Sequence, residues 1–121
     1  DIKIFEDADG LYELNSGADL VIGAGGVSLL ERMALGRPSI SFVVSDNQER
    51  QVKWAASLGA TIPLTLNESL LESDIVSAIN VLLSDRKILN NMSKIAANIV
   101  DGKGALRVSE VLMSNIKIED D

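Results

Sequence analysis

Cysteine and histidine are both absent from the 121 residues, and the two absences remove much of common enzyme chemistry. Without Cys there is no disulfide framework, no thiol nucleophile and no thiolate metal site. Without His the commonest general base and metal ligand is gone. A hydrolase built from this segment alone would need a carboxylate or a lysine to move protons. Aromatic residues make up 3%, which leaves little for base-stacking platforms. Positive charge is also short: 11 Lys and Arg against 18 Asp and Glu give a net charge of −7. That balance argues against nucleic acid, whose phosphates are bound by clustered cations. It leaves room for a single nucleotide, which needs only a local nest of N–H groups. No apolar run reaches the roughly 20 residues of a membrane span. The opening Asp1-Ile2-Lys3-Ile4-Phe5 lacks the basic start and apolar stretch of a signal peptide, and has no initiator Met. The expectation is one cytoplasmic domain over residues 1–121, cut from a larger protein. No Asp/Glu cluster has the density of a metal site, and no cofactor is expected.

What is present is hydrophobic, at 46% of residues, and it alternates in kind. Ile2 to Phe5 reads as a short strand, and Leu11, Tyr12 and Leu14 as a brief helix closed by Ser16-Gly17. Asp19-Leu20-Val21-Ile22-Gly23 is a continuous apolar run, the pattern of a strand buried on both faces of a parallel sheet. Ser28 to Leu35 is helical in composition and stops at Gly36, with Pro38 beyond it. Ser39 to Val44 is the next strand, Asn47 to Leu58 a helix ended by Gly59, and Ala60 to Leu64 a last strand. Three helices follow, around Leu71–Leu83, Leu89–Ile99 and Val108–Ile116, with residues 117–121 as a frayed acidic tail. Strands alternating with helices imply an α/β fold, a Rossmann-like parallel sheet with helices on both faces. Three or four strands are few for such a sheet, so one β-α unit is expected before Asp1. Ligands of open sheets sit beyond the carboxyl ends of the strands, which directs attention to the turns after Phe5, Ile22 and Val44.

The second of these turns, Ile22-Gly23-Ala24-Gly25-Gly26-Val27-Ser28, carries the strongest signal. A strand ends, glycines let the backbone approach a ligand closely, and a helix begins. The first N–H groups of that helix lack internal partners and carry the positive end of its dipole, so phosphate is a natural occupant. The run is neither a Walker sequence nor a dinucleotide fingerprint, and a tight turn with nothing bound is the plain alternative. Ser28 and Glu31 have the spacing of a capping box. The same spacing also sets both on one helix face, where Ser28 could donate to phosphate and Glu31 could accept two ribose hydroxyls. After the next strand, Ser45 with Gln48, or Asp46 with Glu49, again fits a helix start. The adjacent amides of Asn47 and Gln48 equally suit sugar hydroxyl and acetamido groups. Trp54 reads as half-buried packing, Asp101-Gly102-Lys103-Gly104 as a helix break, and Arg32, Arg37, Arg50 and Arg107 as surface charge.

Taken in order, Ala18 to Gly26, Glu31, Gly36-Arg37-Pro38-Ser39, Asn47-Gln48 and Leu58-Gly59-Ala60 resemble the C-terminal domain of GT-B-fold nucleotide-sugar enzymes. The pattern looks most like the UDP-sugar hydrolases of pseudaminic acid synthesis and the spore-coat polysaccharide proteins, called PseG and SpsG. Ile2-Lys3-Ile4-Phe5 and the stretch from Asp101 to Val108 share the likeness. The peptidoglycan glycosyltransferase MurG shows a similar but looser pattern.

The resemblance implies a site between two domains, of which this chain supplies one and an N-terminal domain of the same protein the other. It implies that Gly25, Gly26, Val27 and Ser28 contact the diphosphate of a UDP-sugar and that Glu31 takes the ribose. Phe5 and Glu6 would edge the uracil, and Asn47 and Gln48 would lie near the phosphates or the sugar. The proposed base of the hydrolases is a His of the N-terminal domain, so no catalytic residue carries over to this chain. Three expectations follow: hydrolysis of a UDP-2,4-diacetamido-2,4,6-trideoxyhexose, sugar transfer as in the MurG-like group, or a non-catalytic binding subunit of a split enzyme.

Overall fold

The computed structural model describes residues 3–5, 12–101 and 103–115. Its elements run α1 (Tyr12–Ser16), β1 (Val21–Ala24), α2 (Val27–Ala34), β2 (Ser39–Val43), α3 (Asp46–Ser57), β3 (Ile62–Thr65), α4 (Glu72–Ser84), α5 (Arg86–Ile99) and α6 (Gly104–Asn115). The strands form a parallel sheet in the order β1-β2-β3, with Val21 paired to Ser39 and Ile40 to Ile62. The alternation of strands and helices is thus the one expected from the sequence, and the fold is α/β with a three-stranded parallel sheet.

The central strand organises two cores, because its side chains alternate between faces. Ile40 packs with Leu20, Ile62 and Leu64, and against Ala78 and Leu82 of α4 and Met92 of α5. Val43, on the opposite face, packs with Leu29 and Met33 of α2, Val52 and Ala55 of α3, and Ala96 of α5. Each fully buried Leu or Ile side chain contributes about 1.5–3 kcal/mol relative to exposure. Leu29, Ile40 and Leu82 are all 0% exposed. Helix α5 joins both cores at the amino ends of the strands. Ser93 Oγ donates to Gly36 O at 2.5 Å, and the Ile95 side chain abuts Gly59. The carboxyl ends of the strands are left to the turns.

Two expectations about strands do not hold. Lys3 to Phe5 has no regular structure, and Ile4 and Phe5 are 82% and 60% exposed. A strand needs a neighbour for its N–H and C=O groups, and none pairs with this segment among the described residues. The run at β1 is not buried on both faces either: Ile22 is 42% exposed, and among the described residues β1 lies at the sheet edge rather than its centre.

Helix ends follow local chemistry. Asp85 accepts from Lys87 N at 2.9 Å to cap α5, and Asp74 reaches back to Leu71 N at 2.9 Å at the start of α4. The expected helix break falls between Ile99, the end of α5, and Gly104, the start of α6; Asp101 accepts from Lys103 N at 2.9 Å and pairs with the exposed Arg107. These partners, Arg107 first, hold the Asp101 carboxyl below its ordinary value. No helix among the described residues is long and apolar enough to cross a membrane.

Candidate functional site

Beyond the carboxyl end of β1 the chain makes a turn that only glycine can make cheaply. Gly26, the N-cap of α2, has φ 92° and ψ −153°, a region essentially closed to residues with a Cβ. Gly25 is required for another reason. A Cβ there would sit 2.6 Å from Val52 Cγ2 of α3, so the missing side chain is the space that α3 fills. The Gly25 N–H is already used, donating to Phe42 O of β2 at 3.0 Å.

The N–H groups at the helix start are then accounted for one by one. Gly26 N donates to Gln51 Oε1 at 2.7 Å, and Leu29 N donates to Gly26 O at 3.1 Å. Among the described residues nothing accepts from Val27 N or Ser28 N. These two donors stand at the positive end of an eight-residue helix, the arrangement that attracts an anion. Val27 is 72% exposed and Ser28 half-buried, so the helix start is open to solvent.

The capping box expected of Ser28 and Glu31 is not formed. Gly26 holds the N-cap position and no side chain caps the helix. Ser28 lies two residues past the N-cap, inside the helix, too far along to bond the N–H groups that a cap serves. Glu31 is exposed and its carboxylate makes no hydrogen bond or ion pair among the described residues, which leaves it available to a ligand.

The turn after β2 approaches the same place. Ser45 is the N-cap of α3 but its side chain caps nothing; its hydroxyl donates to Asn47 Oδ1 instead. Gln48 Oε1 accepts from Val44 N at 3.4 Å. Gln48 Nε2 lies 3.6 Å from where a Cβ on Gly26 would stand. The structure therefore gathers Gly25, Gly26 and Gln48 at one point; Asn47 is exposed on α3 and contacts Ser45 rather than the glycines. Phe5 is exposed and has no bond to this group, and Glu6 lies outside the described residues.

No protein-family model matches the chain, but curated proteins do. It is 29% identical over 110 residues to the spore coat polysaccharide biosynthesis protein SpsG of Bacillus subtilis, covering 91% of this chain and 32% of that protein. It is 37% identical over 87 residues to a UDP-N-acetylglucosamine–N-acetylmuramyl-(pentapeptide) pyrophosphoryl-undecaprenol N-acetylglucosamine transferase of Clostridioides difficile, covering 68% of this chain and 21% of the enzyme. The corresponding transferase 1 of Bacillus anthracis is 29% identical over 110 residues, with 87% and 30% covered. The chain is thus similar to one segment of glycosyltransferases and of a polysaccharide biosynthesis protein. It spans about a third or less of the curated relatives it matches.

Two residues stand at the turn that the sequence did not assign to it. One is Gln51, whose amide holds the Gly26 N–H. It follows Gln48 by three residues, so both share the face of α3 that meets the glycines. The other is Arg32, which is 3% exposed rather than on the surface. Its side chain points back toward the helix start, as helical side chains do, and Nη2 donates to Ala24 O at 2.9 Å and to Ser41 Oγ at 3.1 Å. Its spacing from Leu29, three residues along, puts it on the inward face and was the available signal. Arg37 is likewise not free surface charge, since Nη1 donates to Ala18 O at 3.1 Å.

Behind Arg32 the buried hydroxyls form a directed chain. Thr61 Oγ1 has one proton, which goes to Ser39 O at 3.0 Å. Ser39 Oγ and Ser41 Oγ, at 2.8 and 2.7 Å, must therefore donate to it. Ser41 Oγ, having given its proton, accepts from Arg32. No carboxylate lies within ion-pair distance of Arg32 among the described residues. Burial pushes its guanidinium down from the ordinary value, while the charge of Glu31 pushes it up; arginine remains a cation throughout.

Proposed function

We propose that this domain binds the diphosphate and ribose of a UDP-sugar at the start of α2. The observation that carries the reading is the pair of unpartnered donors, Val27 N and Ser28 N, behind the Gly26 turn and beyond the carboxyl end of β1. Val27 N, Ser28 N and the Ser28 hydroxyl take diphosphate oxygens. Gly25 and Gly26 supply the close backbone approach, and Glu31, free of any capping role, accepts the ribose hydroxyls. Asn47 and Gln48 face the sugar or the phosphates, and Phe5 and Glu6 edge the base. The names of the relatives support a nucleotide sugar: the transferases act from UDP-N-acetylglucosamine, and SpsG serves polysaccharide biosynthesis.

Of the reactions open to such a domain, the reading adopted is hydrolysis of a UDP-2,4-diacetamido-2,4,6-trideoxyhexose for nonulosonic acid or surface polysaccharide synthesis in the cytoplasm. Water attacks the anomeric carbon, the bond to the diphosphate oxygen breaks, and UDP leaves with the electron pair. The helix-start amides stabilise the charge that gathers on that leaving group. The base that takes the proton of water is assigned to the other domain of the same protein. Asn47-Gln48 and the stretch Gly102-Lys103-Gly104-Ala105-Leu106-Arg107-Val108 favour this reading over transfer. The transferase reading rests on the 37% identity to the Clostridioides difficile enzyme.

The full-length protein, incubated with the UDP-sugar and no acceptor, is expected to release UDP and free sugar at a steady rate. Release that begins only when an acceptor is added establishes transfer instead.

A further inference from the structure

The buried Arg32 has a role that the proposed function does not use. The Ala24–Gly25 peptide, one residue before the Gly26 turn, is held at both ends: its oxygen by Arg32 Nη2 at 2.9 Å and its N–H by Phe42 O at 3.0 Å. Arg32 Nη1 lies 3.1 Å from where a Cβ of Gly23 would stand, so the guanidinium sits against the strand end and a side chain there would have to displace it. Its Nε is buried with no acceptor, and every group it does bond is neutral. A guanidinium taken out of water without an anion is destabilising, whereas an uncharged donor could hold Ala24 O without that cost. What a neutral side chain could not do is lend positive potential to the turn.

We infer that Arg32 is a positioning residue for the anion: it fixes the Ala24–Gly25 peptide and sets a buried cation, with no ion-pair partner among the described residues, under the turn that leads to the Val27 and Ser28 donors. This rests on the reading of that turn as a phosphate site and deepens it. Arg32 is 3% exposed, so its charge is screened less than that of a surface cation. The charge favours the diphosphate part of a ligand and is indifferent to the nucleoside part. Selectivity for doubly phosphorylated over uncharged ligands would then come from a side chain that never touches the ligand.

The test uses the full-length protein and its Arg32→Gln and Arg32→Lys variants, with folding checked by circular dichroism. Binding of inorganic pyrophosphate, UDP and uridine is followed by calorimetry and amide NMR shifts. Arg32→Gln should weaken pyrophosphate and UDP about tenfold and leave uridine unchanged, while Arg32→Lys recovers about threefold of that loss. Equal losses for pyrophosphate and uridine would show a purely structural arginine and overturn the inference. So would unchanged pyrophosphate affinity in Arg32→Gln. If the unaltered protein binds neither pyrophosphate nor UDP, the phosphate site itself fails and this inference falls with it.

Discussion

Gln51 occupies the Gly26 N–H that a phosphate would also seek, so replacing it should move stability and affinity in opposite directions. The bond is short, 2.7 Å, and half-buried. A hydrogen bond of this kind is worth about 0.5–1.5 kcal/mol net, and an abandoned donor costs about 1–3 kcal/mol where water cannot reach it. The Gly26 turn is open enough for water, so Gln51→Leu should lower folding stability by about 1 kcal/mol. A diphosphate oxygen that takes the Gly26 N–H no longer has to break that bond first. UDP should therefore bind about 3- to 10-fold more tightly, since about 1.4 kcal/mol is tenfold. Gln51→Glu reverses the sign: its carboxylate keeps the acceptor but repels the phosphates, and UDP should bind more weakly than to the unaltered protein. Urea unfolding followed by Trp54, the single tryptophan and half-exposed on α3, gives the stability. Calorimetry gives the affinity. Weaker UDP binding by Gln51→Leu would refute the reasoning, because it would make Gln51 a ligand contact rather than a competitor.

Gly25→Ala should cost about 1–3 kcal/mol through the clash with Val52, and Val52→Ala should cost about 2 kcal/mol by the cavity it leaves. The double variant should be less destabilised than the sum by about 1–2 kcal/mol in urea unfolding; strict additivity contradicts the packing described for Gly25. Glu31→Gln should weaken UDP by about tenfold and leave pyrophosphate unaffected, as judged by calorimetry, since a lost charged hydrogen bond is worth about 1.5–3 kcal/mol. Equal losses for both ligands would remove Glu31 from the ribose.

Much of the fold was legible because it rests on patterns only a few residues long. The apolar runs at β1 and β2 and the stops at Gly36 and Gly59 each act locally, and the element order follows from them. The glycine turn was legible for the same reason: Gly26 announces a conformation that other residues avoid. What was not legible depends on distant neighbours. Whether β1 is central or at an edge is decided by the sheet order, and the exposure of Ile22 goes with it. The Ser28–Glu31 spacing suits a capping box, but the sharp turn moves the helix start to Gly26 and leaves Ser28 inside it. Arg32 reads as a surface residue until Ser41 and Ala24, brought in from two strands, enclose it. Gln51 acquires its partner only when α3 packs against the turn, and the absent Cβ of Gly25 is what lets α3 come so near.

The central claim is that the amides at the start of α2 hold an anionic diphosphate, and amide NMR reads those groups directly. Titrating the full-length protein with UDP should shift the signals of Gly26, Val27 and Ser28 in a saturable way. Pyrophosphate should shift the same three signals. If they stay in place while UDP saturates the protein elsewhere, or never binds, the helix start is not the phosphate site.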